Sequence, residues 1–149
     1  MIRRLALAAV FASTLLVTAG YASAFLPGGA PAWGQWTFIV GLALMMTAMM
    51  VLGAALPGRP MGLLWLAFAF TFVVLVGGFG LALVLPPPTA ESTLWFGLPA
   101  GAAVVLYGVG LLPLAVLPLA YSFTFDDRSL GTDELARLRA AAEAVAPQP

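Results

Sequence analysis

Cysteine, histidine and lysine are missing from this chain altogether, and charge of either sign is scarce. Without cysteine there can be no disulfide and no thiol chemistry. Without histidine as well, the chain holds no ligands for a zinc site or a His-ligated haem. All six basic residues are arginine: Arg3, Arg4, Arg59, Arg128, Arg137 and Arg139. They form no cluster of phosphate-neutralising cations, which excludes nucleic acid as a partner. Only 8% of residues are charged and 62% are hydrophobic, whereas soluble domains carry roughly 25% charged residues. A soluble core built from 149 residues could not hide that much apolar surface; a bilayer can.

What the chain does have is long apolar runs. They fall at about residues 5–26, 36–56, 61–85 and 93–123, each close to or above the ~20 residues that cross a bilayer as helix. The last run dominates. From Ser92 to Phe125 there is no charge, with Trp95 and Phe96 near one end and Tyr121, Phe123 and Phe125 near the other. Amphipathic rings settle at headgroup level, so both interface belts are written into this stretch. The expected fold is all-α: a polytopic membrane protein with four transmembrane helices in residues 1–125. A cytoplasmic tail, 126–149, follows, with a short amphipathic helix at about 133–145.

Proline and glycine punctuate the runs. Phe25 to Gln35 reads as a charge-free outer loop with Trp33 and Trp36 at its interface, and Pro57-Gly58-Arg59-Pro60 as a tight inner turn. Pro86-Pro87-Pro88 stops the third run, because successive prolines cannot donate helical hydrogen bonds. Placing the N terminus in the cytoplasm puts every arginine on that side and none outside, as the positive-inside rule demands. The expected location is therefore a bacterial inner membrane, with both termini cytoplasmic. Residues 1–24 admit two readings. Arg3-Arg4, an apolar core and Ala22-x-Ala24 make an acceptable signal peptide. The apolar run, which reaches Leu26, is long for one and favours a retained first helix.

In the tail, Thr132 is the expected N-cap, with Asp133 and Glu134 against the positive end of the helix. Leu135 and Leu138 start a thin apolar stripe. About 14 residues make a marginal helix in water, so this one is expected to lie on the membrane or on a partner.

Candidate chemistry is sparse. Between Arg4 and Asp126 the only charges are Arg59 and Glu91, both in loops. Proton relays and ion paths are built from ionisable groups within the membrane, so a lone proton-coupled transporter is disfavoured. Small multidrug-type exporters also have four helices, but their mechanism rests on a membrane-embedded carboxylate that is missing here. No His, Asp or Lys partners stand at mid-membrane for hydrolysis or group transfer, so no enzyme activity, catalytic residue or cofactor is expected. Met45, Met46, Met49 and Met50 make a doubled M-x-x-x-M pattern. Thioethers at that spacing can ligate Cu(I), and with Gly97-x-x-x-Gly101 the pattern invites comparison with eukaryotic copper channels. The helix order differs, no Met-rich ectodomain precedes it, and filling of apolar gaps is the favoured role.

Small residues offer close helix approach at Gly77, Gly78 and Gly80 on the third run and at Gly97, Gly101, Gly108 and Gly110 on the fourth. They fit either contacts among the chain's own helices or docking to another membrane protein. Pro113 and Pro118 lie inside the fourth run and predict a kink. The deepest polar groups are Ser13, Thr14, Thr47, Thr71 and Tyr107. Tyr107 cannot reach its own backbone, so its hydroxyl is expected to find Thr71, Thr47 or a carbonyl freed by Pro113.

These features together predict a small accessory subunit in contact with lipid. Its partner would be a larger integral membrane protein, such as a sodium/solute symporter, or further copies of itself. The symporter analogy is architectural, and no motif carries it. A self-sufficient oligomeric channel or small-solute permease, with Thr47, Thr71 and Tyr107 as a neutral polar path, is the competing class.

Overall fold

A computed structural model of the protein describes residues 2–55, 61–89, 92–128 and 139–140. Three long helices, α1 (Ile2–Ser23), α2 (Ala32–Ala54) and α3 (Leu63–Val84), are followed by a fourth rod in three consecutive pieces. These are α4 (Ala100–Ala103), a π-helical segment (Val104–Leu111) and α5 (Leu112–Arg128). All four rods are long and apolar enough to cross a membrane. The protein is thus an all-helical, four-span multi-pass membrane protein. The tail helix expected at 133–145, with Leu135 and Leu138, lies outside the described residues, as do Arg59 and Glu91; Arg139 and Ala140 are helical.

Proline and glycine set the helix ends, though not where the apolar runs suggest. Pro31 precedes α2 in extended conformation (φ −67°, ψ 156°). Gln35 Nε2 donates to Ala30 O at 3.2 Å across that start. The helix therefore begins four residues before the expected 36, and Gln35 belongs to it rather than to the loop. Gly62 opens α3 at φ 48°, a conformation only glycine adopts cheaply. Leu85 ends it at ψ 140°, because the ring of the following proline excludes the helical region. The fourth rod starts at Ala100 and not at 93. Phe96 (φ 52°) and Gly97 (φ 83°) form a two-residue reverse turn. Trp95 N and Leu98 N each donate to the other residue's carbonyl across it, at 2.7 and 3.1 Å. Positive φ at both central residues marks the mirror-image turn that closes tight hairpins. Gly97 is consequently a turn glycine, and Gly97-x-x-x-Gly101 is not a helical motif.

The rods alternate in direction. α1 packs on α2, α2 on α3, and α3 on the fourth rod, with no closing contact between α1 and the fourth rod among the described residues. A cluster of Ala6, Val51, Met61, Leu64, Phe68 and Ala120 runs through the row, from α1 to α5, at the end that carries the N terminus. Elsewhere the arrangement is open. No more than 28% of the most apolar stretch of any span is buried, and only 11% in the fourth.

Candidate functional site

The closest contact in the molecule joins α1 to α2, where the sequence reading placed no interface. Buried Ala6, Ser13 and Gly20 recur every seventh residue on α1, and buried Gly34, Gly41 and Ala48 do so on α2. A seven-residue repeat keeps one stripe facing its partner, and side chains this small let the two backbones approach. A Cβ on Gly20 would lie 2.7 Å from Phe38 N and 2.9 Å from Gly34 O. One on Gly41 would lie 2.9 Å from Leu16 Cβ and from Val17 N. A Cβ on Gly34 would collide with the Ser23 hydroxyl, which donates to Gly20 O at 2.6 Å. The signal was present in the sequence as two small-residue heptads. It was overlooked because serine and alanine count as small only when taken together with glycine.

The glycines singled out on the third and fourth runs divide. Gly78 faces Val109 of the π-helical segment, and Gly80 lies under the Trp36 ring, with ring carbons 2.6 and 2.7 Å from a built Cβ. A Cβ on Gly101 would lie 3.8 Å from Ala82 O, an ordinary contact that leaves room for alanine. A Cβ at Gly77, Gly97 or Gly108 would meet nothing within 4 Å, so these glycines mark no close approach between helices among the described residues.

The polar path does not form within the chain. Thr47 donates to Ala43 O at 2.9 Å and Thr71 to Ala67 O at 2.8 Å, each four residues back on its own helix. Ser13 donates to Val10 O at 2.7 Å and Thr14 to the same carbonyl at 2.9 Å. In lipid these local bonds satisfy each hydroxyl without a neighbour. Tyr107 behaves otherwise than expected, for a simple reason. With the fourth rod starting at Ala100, Tyr107 stands two turns from its start and not at its midpoint. Its ring meets Phe96 edge-to-face (centroids 5.5 Å, 68°), so the turn at Phe96 and Gly97 folds back on the helix it precedes. Its hydroxyl is bonded to neither Thr47 nor Thr71.

The methionines do not converge either. Met46 and Met49 are exposed, whereas Met50 packs against the core cluster. The four lie within one side of α2, but that side runs from the core to the outside of the bundle.

The fourth rod holds the least regular backbone. Pro113 follows the π-helical segment by two residues and is buried. It supplies no N–H, and in an α-helix its ring would press on the carbonyl of Val109. Widening the preceding turns to the i→i−5 pattern moves that carbonyl away, an accommodation open to membrane helices. The expected proline disturbance is therefore a π stretch preceding Pro113. Pro118 sits inside α5.

Two apolar grooves flank the contact of α5 with α3. One, of about 390 Å³, is lined by Leu63, Leu66, Ala67 and Phe70 of α3 and by Leu119 and Phe123. The other, of about 460 Å³, lies between Met50 and Gly53 of α2, Phe68 of α3, and Leu114 and Leu117 of α5. No protein-family model matches the chain, and no curated protein or solved structure is significantly similar to it.

Proposed function

We propose that this chain is a small subunit of a bacterial inner membrane, without a catalytic site of its own, that acts by binding a larger integral membrane protein. A transporter of the sodium/solute symporter kind is the partner class we favour. One observation carries the reading: in the open row of helices a Cβ at Gly53 or Gly77 would meet no neighbour within 4 Å among the described residues, on spans that hold no charge. Backbone left bare at membrane depth suits a second helix, since close approach is what drives association in lipid. The permease alternative draws no support from the hydroxyls, because Thr47 and Thr71 are committed to their own helices. We further assign both termini to the cytoplasm and the tail stripe of Leu135 and Leu138 to partner or membrane docking.

The test is co-purification. The tagged chain, solubilised in mild detergent from its native host, should bring down a larger membrane protein in fixed stoichiometry. Gly77→Leu and the double variant Leu135→Asp/Leu138→Asp should each reduce that yield while membrane insertion stays normal. Recovery of the chain alone, or only as a homo-oligomer, from native membranes would sink the subunit reading.

A further inference from the structure

We propose that the π-helical segment Val104–Leu111 is a two-state hinge that rotates the inner half of the fourth rod against α3. The proposal concerns the chain itself and does not depend on the partner assigned above. Long π-helices are rare, and this one runs through eight residues with none of them buried. It contains Gly108, around which a Cβ would meet nothing, and Gly110, where the only neighbour is the segment's own Val105 carbonyl at 3.8 Å. The segment runs along α3, where Val109 stands over Gly78, but none of its side chains is fully buried there.

The i→i−5 pattern takes up one residue more than an α-helix needs for the same advance. Reverting to i→i−4 bonds would turn α5 by one residue's worth, about 100°, and advance it by about 1.5 Å. The consequences can be read from the sequence. In the present state the fully buried residues of α5, among those described, are Pro113 and Ala120, seven apart and both compact, with Val116 and Leu117 partly buried on the core between them. After the shift, Leu112 and Leu119 would take their places. Leu119 already lines the groove of about 390 Å³ beside Ala67, so the volume that would receive it exists. On the opposite side, the groove of about 460 Å³ gives Leu117 and Tyr121 space to move. A helix whose fully buried residues are compact, with open grooves on both sides, can turn by re-seating Val116 and Leu117 without being pulled out of a filled interior. The motion would carry Asp126, Asp127 and the tail with it, and so link the outer turn, tied to Tyr107 through Phe96, to the cytoplasmic end.

The absence of native cysteine makes a direct test simple. Ala67 and Ala120 share the core cluster and line the same groove. The pair Ala67→Cys/Ala120→Cys reports the present state, and Ala67→Cys/Leu119→Cys reports the rotated one. Oxidative cross-linking in lipid should give both products, with the first dominant. Adding Gly108→Ala and Gly110→Ala, which favour α over π geometry, should move the product ratio at least several-fold towards the second pair. Deleting Gly108 outright removes the surplus residue and should restore the dominance of the first pair. The hinge is overturned if the second pair never cross-links, or if the double alanine variant leaves the ratio unmoved. If that variant fails to insert, the ratio in the native background across temperature decides: a constant value refutes two states, and a shifting one supports them.

Discussion

Replacing glycine by alanine should change stability with opposite sign at two sets of positions in this protein. At Gly41, the added carbon would stand 2.9 Å from Leu16 Cβ and Val17 N. Carbon atoms rest at about 3.5–4.0 Å, so α1 must retreat by roughly 0.6–1 Å. A gap of that size forfeits about a quarter to a half of the dispersion well in neighbouring contacts, and overpacking of this kind costs about 1–3 kcal/mol. Alanine returns about 0.8–1.0 kcal/mol through helix propensity. At Gly20 the obstacles are Phe38 N, Phe38 Cβ and Gly34 O, all within 2.9 Å and all on or beside backbone. No side-chain rotation relieves them, so Gly20→Ala should cost about 1–2 kcal/mol net and Gly41→Ala about 1 kcal/mol. At Gly53 and Gly77, nothing lies within 4 Å, and only the propensity gain remains, so alanine should stabilise by up to about 1 kcal/mol. Unfolding by SDS in mixed micelles, followed through the fluorescence of Trp33 and Trp36, measures all four variants on one scale. If Gly20→Ala proves as stable as Gly77→Ala, the close approach of α1 and α2 is not what holds them together.

Three further outcomes are expected. Reporter fusions after residues 58 and 128 should read cytoplasmic and a fusion after residue 88 periplasmic; the reverse pattern would defeat the charge argument. The intact mass of the purified protein should include α1, because cleavage after Ala24 would strip Gly34 and Gly41 of their partner; a mass beginning near Phe25 would overturn this. Tyr107→Phe should change stability by less than about 0.5 kcal/mol, whereas Phe96→Ala, which removes the edge-to-face pair, should cost about 0.5–1.5 kcal/mol; thermal melting in detergent separates the two.

The number and approximate place of the spans were legible because they rest on a bulk quantity, apolar length. Their ends were less so, because ends depend on single residues. Pro31 starts α2 early, and the turn at Phe96 and Gly97 delays the fourth rod by seven residues against the expected 93. That delay had a consequence for the candidate site. It moved Tyr107 from the supposed midpoint to the first third of the fourth rod, and so removed the reason to seek it a partner among the threonines. The sequence shows which residues are small but not which helices meet. Attention to glycine alone favoured the third and fourth runs, whereas the tightest pair needed Ala6, Ser13 and Ala48 counted with Gly20, Gly34 and Gly41. The π-helical segment was illegible in detail. Pro113 predicts a disturbance, but whether a kink or a widened turn absorbs it depends on what lies alongside.

The way this fold coheres differs from that of a soluble bundle. In water, the cluster around Leu64 and Phe68 would be the main source of stability, through removal of apolar surface from solvent. In a bilayer, lipid tails are as apolar as those side chains, so burying them gains little beyond contact with a better-fitting neighbour. What remains is closeness, and closeness is greatest where side chains are smallest. The α1–α2 hairpin is therefore the rigid half of the molecule, with Ser13 and Ser23 buried and bonded to their own helix carbonyls. The fourth rod is the opposite case. Few of its described residues are buried, most of its leucines face outward, and its backbone departs from α geometry where Gly108 and Gly110 leave room. Stability is thus concentrated in the first two spans, and freedom to rearrange in the last one, which leads directly into the tail.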